Sequence, residues 1–316
     1  MRAHVLPVVL LLWPALLRGQ QPDSLVDERV VHMISLSEVV VRSGLDPAAF
    51  LERVRQDTTF YKAFRTLRTV GYTSLNDIRM LDRRGRVQAS LQSKTIQHRH
   101  GGCRTMDKIS ETTTGDFYDR RGRYNYYTAE LYASLFLTEG QVCGETNIVR
   151  DSRFSPGSKH GLEKHQEQLE MLFFDPGKRI PGVPFIGNKL NLFDPEVAKY
   201  YDFRIDYGDS EGEPCYIFRV QARADLDASD RDQVVLDQMT TWFSTRTMEV
   251  MARNYDLSFD AGVYDFAVHM EVRMGRFGDL LVPRVLRYQG NWSVWLKKRE
   301  RGLFTATLFD FTPDAP

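Results

Sequence analysis

The 316-residue sequence predicts an α+β protein in which most of the chain forms antiparallel hairpins. Three observations carry this expectation. From Pro214 onward, β-prone runs follow one another with short polar or glycine-bearing connections. Two Asp-Arg-Arg-Gly tetrapeptides, beginning at Asp82 and Asp119, have the form of a type I turn followed by a left-handed glycine, a common way to reverse an antiparallel strand. Finally, Asp46-Pro47 supplies an N-cap with proline at the first helical position, just ahead of apolar residues at helical spacing.

Taken in order, Met1 and Arg2 precede an apolar run from Val5 to Leu17 that contains Pro7 and Pro14. It is shorter than the ~20 residues of a spanning helix, so residues 1–19 read as a signal peptide cut near Gly19. No cysteine follows to accept a lipid, since the first is Cys103. Residues 20–44 then form an N-terminal arm. Within it, Ile34 to Val41 is a β-prone run that reads as an edge strand or ordered arm. It also resembles the Leu-x-Glu-Val-Val-Val stretch near TonB boxes, which implies a docking role.

The first helix carries Phe50, Val54, Tyr61, Phe64 and Leu67 on one face. Strands and the two Asp-Arg-Arg-Gly turns fill Tyr72 to Thr128. A short helix is expected over 129–137 and a better one over 159–172, where Leu162, Leu169 and Leu172 mark a face. The Pro- and Gly-rich stretch 175–191 reads as a loop laid over the sheet, and Asp194-Pro195-Glu196 caps another short helix. Strands are then expected over 215–221, 234–243, 248–259, 264–274, 280–288, 292–297 and 303–311, with turns at 244–247, 275–278 and 298–302. A meander is the simplest topology. With no break in composition, residues 45–316 read as one domain, two subdomains being the alternative.

Composition narrows function by exclusion. Forty-two basic residues balance forty-two acidic ones, so the electrostatic footprint of a nucleic-acid binder is missing. No later stretch is apolar enough to span a membrane as a helix, and the C-terminal alternation carries too many charges for an outer-membrane barrel. Of three cysteines, Cys103 and Cys143 are the pair to test as a disulfide, which would leave Cys215 free in a strand. His98, His100 and Cys103 are compactly spaced for zinc, but a fourth ligand is not apparent and Arg99 and Arg104 oppose a dication. His160 and His165, with Glu163 and Glu167, do not make the HExxH spacing. Asp202, Asp206 and Asp209 read as loop or edge charges. Seryl-nucleophile, Walker A and dinucleotide fingerprints are missing, so neither a cofactor nor a metal is implied and a non-enzymatic protein is expected.

The aromatic residues of the late strands are the remaining signal, with Trp242, Phe243, Tyr255, Phe266 and Trp292 as the ligand-binding candidates. They are either core packing of a sheet that buries one face or the lining of a cavity for an acyl chain, in which each buried methylene contributes about 0.8 kcal/mol. The block Thr241-Trp242-Phe243-Ser244-Thr245-Arg246-Thr247, followed by Val250-Met251-Ala252-Arg253-Asn254-Tyr255, resembles the long hairpins of lipoprotein-carrier (LolA/LolB-like) proteins. It is also similar to a group of secreted bacterial envelope proteins.

The resemblance covers the C-terminal strands and, more loosely, those after Tyr72. It implies a large curved antiparallel sheet, an open half-barrel with a few helices packed on its concave face, and a location in the periplasm or cell envelope rather than full secretion. The first functional expectation is therefore an exported envelope protein binding a lipid or lipoprotein acyl chain. The alternatives are an interaction module that docks an outer-membrane protein through residues 34–41, and an envelope enzyme using His98, His100 or His160.

Overall fold

A computed structural model describes residues 26–149, 170–180, 186–260, 262, 264–294 and 298–315. The expected signal peptide, most of the helix expected over 159–172, and His160 and His165 lie outside the described residues. The N-terminal part contains α1 (Glu28–Val31), β1 (Ile34–Leu36), α2 (Glu38–Arg42), α3 (Pro47–Gln56) and α4 (Thr59–Thr66). Next come β2 (Gly71–Leu81), β3 (Val87–His100), β4 (Cys103–Thr114), α5 (Tyr127–Phe136) and β5 (Val142–Cys143). Helical residues 170–174 (α6) lead to α7 (Pro195–Ala198), β6 (Tyr201–Ser210), β7 (Glu213–Ala222) and α8 (Ala228–Arg231). The chain ends in β8 (Leu236–Ser244), β9 (Val250–Asp260), β10 (Tyr264–Phe277), β11 (Leu280–Val294) and β12 (Glu300–Thr312).

All twelve strands belong to one open sheet in the order β1-β6-β7-β8-β9-β10-β11-β12-β2-β3-β4-β5. From β6 to β12 the chain is a simple meander. β12 then pairs antiparallel with β2, from Gly302 opposite Met80 to Phe309 opposite Thr73. The early hairpins therefore extend the same sheet, and no seam divides it. Helices α3 to α6 lie on one face, where the core sits. Phe50 of α3 meets Tyr216, Phe218 and Phe243 edge-on at 5.7–5.9 Å, Phe64 of α4 stacks on Phe174 at 3.8 Å, and Tyr132 of α5 lies 4.6 Å from Phe304.

Several expected elements are corrected. Only Ile34–Leu36 of the β-prone run is a strand; it pairs in parallel with β6, Ile34 opposite Phe203. Val39 to Val41 instead turn into α2, where Val40 is fully buried and Glu38 meets Arg42 one turn on. The first helix breaks at Asp57, whose carboxylate accepts from the Thr59 amide at 3.1 Å and its hydroxyl at 2.7 Å, starting α4 in a new direction.

Asp202, Asp206 and Asp209, read as loop or edge charges, lie in a strand, β6, near one edge of the sheet. Tyr201, Phe203 and Ile205 are buried between the exposed Asp202 and Arg204, the period-2 pattern of a half-buried strand. The strand expected over 292–297 is not separate, because β11 continues through Gly290 to Val294. Gly290 is no turn residue; a Cβ there would stand 1.9 Å from the Tyr288 hydroxyl, so its missing side chain makes room for that ring. Of the two Asp-Arg-Arg-Gly turns, the first joins β2 to β3, while the second closes on a single bridge, Tyr118 to Tyr124.

Cys103 and Cys143 face each other as the paired residues of β4 and β5 and are joined by a disulfide, S–S 2.06 Å. Cys215 is a buried free thiol whose pKa burial pushes up to about 11. With Cys103 oxidised, the compact His98, His100 and Cys103 set loses its thiolate. His98 instead contacts Asp107 at 3.0 Å on the exposed face of β3. Among the described residues no group of three His, Cys, Asp or Glu side chains is arranged to hold a metal ion, and no helix is long and apolar enough to cross a membrane.

Candidate functional site

Strand alternation sorts the five aromatic candidates. Phe243, Tyr255, Phe266 and Trp292 point to the helix-covered face. Trp242, one residue from Phe243 on β8, points to the other. The four on the covered face do not converge. Phe243 pairs with Val250 and Phe266 with Phe259, nine residues apart on β9, or roughly 30 Å of strand. Phe243 packs under α3, and the Tyr255 hydroxyl donates to the Phe173 carbonyl at 2.5 Å. Phe266 and Trp292 are cross-strand partners at the far end.

What lies between them is a seam where α5 and α6 meet over β10, β11 and β12. Its walls are Leu131, Tyr132, Leu135 and Phe136 from α5, Phe173 and Phe174 from α6, and Met270, Tyr288 and Phe304 from the sheet, with Thr128 the one polar residue. Tyr288 and Phe304 stack face to face, 4.7 Å apart and 9° from parallel. The remaining void is about 20 Å³, room for about one water molecule. Sequence reading placed Tyr288 and Phe304 in strands but did not single them out. It also missed Phe173 and Phe174, whose helix runs into the Pro- and Gly-rich loop, so that nothing in their spacing sets them over this part of the sheet.

Each side of the seam has its own anchors. On the α5 side, the Tyr132 hydroxyl donates to Asn76 Oδ1 at 2.6 Å, within a buried group that includes Ser74, Ser93 and Thr95. Glu300 of β12 caps the helix: its carboxylate accepts from the Tyr127 and Thr128 amides at 2.9 and 2.8 Å and from the Thr128 hydroxyl at 2.7 Å. Thr128 Oγ1 in turn accepts from Trp292 Nε1 at 2.8 Å. This cap comes from 172 residues away, so local sequence could not announce it. Glu300→Ala is expected to cost about 0.5–2 kcal/mol, the range for a lost N-cap, and to shift Trp292 emission. Urea unfolding and fluorescence check both.

On the α6 side, buried Glu170 accepts from Arg68 Nη2 at 2.5 Å and from the Tyr61 hydroxyl at 3.2 Å. Burial, with the Glu170 carboxylate adding to it, pushes the Tyr61 hydroxyl up to about 12, so it is a donor at every ordinary pH. Nearby, buried Arg253 donates to Thr241 at 3.0 Å and lies 4.4 Å over the Phe60 ring. Burial lowers its pKa while the Asp57 and Asp175 carboxylates oppose that shift. Burial raises Asp175, against the pull of Lys178 and Arg253.

The open face differs in character. A groove of about 900 Å³ crosses it, floored by Gln221, Gln238, Asp256, His269 and Gln289 in register on five adjacent strands. Burial disfavours the charged His269 ring, but the Asp256 carboxylate at 2.5 Å and Glu271 at 3.3 Å outweigh it and raise its pKa above 6.5. Around this polar floor the groove is also lined by Leu226, Leu257, Val268 and Leu303, so its walls are mixed rather than the aromatic enclosure of the seam.

A scan against protein-family models finds no match, and no curated protein matches. Among the solved structures that this chain is similar to are three of different kinds. One is a DUF1329 family protein from Desulfovibrio piger, 12% identical over 81% of this chain and 94% of that one, TM-score 0.24. Another is a putative outer membrane lipoprotein-sorting protein domain from Vibrio parahaemolyticus, 7% identical over 79% of this chain and 88% of that one, TM-score 0.27. The third is lipovitellin, 10% identical over 78% of this chain but 26% of that one, TM-score 0.28, from a study of lipid–protein interactions. The second carries the lipoprotein-sorting description that the sequence resemblance named. At TM-scores of this size the likenesses decide nothing about a ligand; the fold rests on this chain's own strand order.

Proposed function

We propose that the protein is a non-enzymatic exported envelope protein that takes up the acyl chain of a lipid or lipoprotein between its curved sheet and helical layer, along the seam of α5 and α6. The observation that carries this reading is the seam itself, an almost wholly apolar, aromatic-walled contact between two separately anchored cover elements. Ligand pockets measure roughly 300–1,000 Å³, so the two covers part when a chain enters. Ten buried methylenes contribute about 8 kcal/mol, which offsets the aromatic contacts given up.

The test is acyl-lipid retention by protein purified without detergent. Leu135→Asp places a charge in the seam at a half-buried position and is expected to abolish retention. Leu75→Asp, exposed on the far face of β2, is expected to keep it.

The interaction-module reading draws on the small size of the void, which suits a core packed by its own aromatics. Its docking segment, however, is already engaged within the chain, since Ile34–Leu36 pairs with β6 and Val39 to Val41 lie in α2. Among the described residues one open edge is the outer side of β4 beyond its pairing with β5, blunted by Asp107, Lys108, Glu111 and a bulge beside Ile109; the other is at β1 and β6.

A further inference from the structure

We infer that the end of the sheet carrying the Asp-Arg-Arg-Gly-Arg turns docks on the phosphate-bearing headgroups of an anionic bilayer. In the β2–β3 turn the Asp82 carboxylate accepts from the amides of Arg84 and Arg86 at 2.8 and 2.9 Å and from Arg86 Nε at 2.8 Å. The acid and the last arginine thus hold the turn. The two central arginines, Arg83 and Arg84, form no ion pair among the described residues and stand exposed at the tip. Facing them stand Lys298, just ahead of β12, and Arg301 within it, likewise without ion pairs among the described residues. All four line one open depression of about 590 Å³ between the two hairpins.

The second turn repeats the first bond for bond. Asp119 accepts from the Arg121 and Arg123 amides at 2.8 and 2.9 Å and from Arg123 Nε at 2.8 Å, again leaving two central arginines, Arg120 and Arg121, unpaired among the described residues. It belongs to the same end of the molecule. Thr114, the last residue of β4, pairs with Ser90; a Cβ on Gly115 would stand 2.1 Å from the Gln88 carbonyl; and Gln88 lines the depression. From the other side, the helix that follows this turn is capped by Glu300, next to Arg299 and Arg301.

The fold does not require these cations. Asp at the first position and Gly at the last form the turn, and the two central positions of a type I turn accept most residues. Yet both turns carry Arg-Arg, in a chain whose formal charge is zero. Like charges around one depression repel one another unless an anion joins them. Planar guanidinium forks at several neighbouring tips suit phosphate oxygens, and tips with a shallow depression between them present a broad surface to a bilayer rather than a deep pocket to a small molecule. Each cation near such a surface strengthens partition about fivefold.

Sedimentation of the full chain with vesicles tests this. Retention is expected on phosphatidylcholine vesicles containing phosphatidylglycerol and not on phosphatidylcholine alone, with release as salt rises. The pair Arg83→Ser/Arg84→Ser is expected to weaken partition about 25-fold, and Arg204→Ser, on exposed β6, to leave it unchanged. Equal retention on both vesicles, no loss in the double variant, an equal loss in Arg204→Ser, or capture by soluble polyphosphate without vesicle retention would overturn the assignment. It stands apart from the acyl reading, because Leu135→Asp is expected to sediment as the parent does.

Discussion

Phe304→Ala is expected to lower the free energy of unfolding by about 3–5 kcal/mol, the range for a buried phenylalanine truncated to alanine. Phe304 is 8% exposed and sits at the middle of the core, stacked on Tyr288 and packed against Tyr132 and Phe136, 4.6 and 6.1 Å away between ring centroids. Its neighbours cannot easily close over the gap. Tyr132 is held by Asn76, Tyr288 stands where Gly290 makes room for it, and α5 is capped at its start by Glu300. The lost ring would therefore enlarge the void, and the upper half of the range is expected. Urea unfolding checks it, and a loss below about 1 kcal/mol would mean that α5 collapses onto the sheet without restraint.

Removing the disulfide through Cys103→Ser/Cys143→Ser is expected to cost about 4 kcal/mol, the chain-entropy value for a loop with 40 residues of separation. The bridge fastens β5 to the edge of β4 and so places Glu145, which accepts from Arg104 Nε at 2.5 Å and lies 3.8 Å from Arg68. Arg68 in turn holds Glu170 of α6. Loss of the bridge is thus expected to loosen that side of the seam as well as to lower global stability. Hydrogen exchange near 142–147 and denaturant unfolding read the two effects separately. An unchanged midpoint, with protection intact, would show that pairing alone holds this segment.

The C-terminal meander was legible because its strands alternate buried and exposed residues and its turns use polar or glycine residues. β6 follows the same rule, but its exposed aspartates drew attention from Tyr201, Phe203 and Ile205 between them. Val39 to Val41 misled in the opposite direction: three β-branched residues suggest a strand, yet burial of Val40 and the Glu38–Arg42 pair favour a helix. Gly275 was read as part of a turn, whereas it lies within β10 and makes room for Arg284. Of the site, the aromatic strands were visible. The seam was not, because it depends on which residues of α5 and α6 come to lie over Tyr288 and Phe304, a matter of long-range packing.

The central claim is that this seam admits an acyl chain. Native mass spectrometry with lipid extraction, on protein purified without detergent, tests it most directly. Co-purifying acyl lipid that is lost in Leu135→Asp and kept in Leu75→Asp is the predicted result. A clean unliganded mass for the parent protein under gentle conditions, or lipid retained equally by both variants, would contradict it.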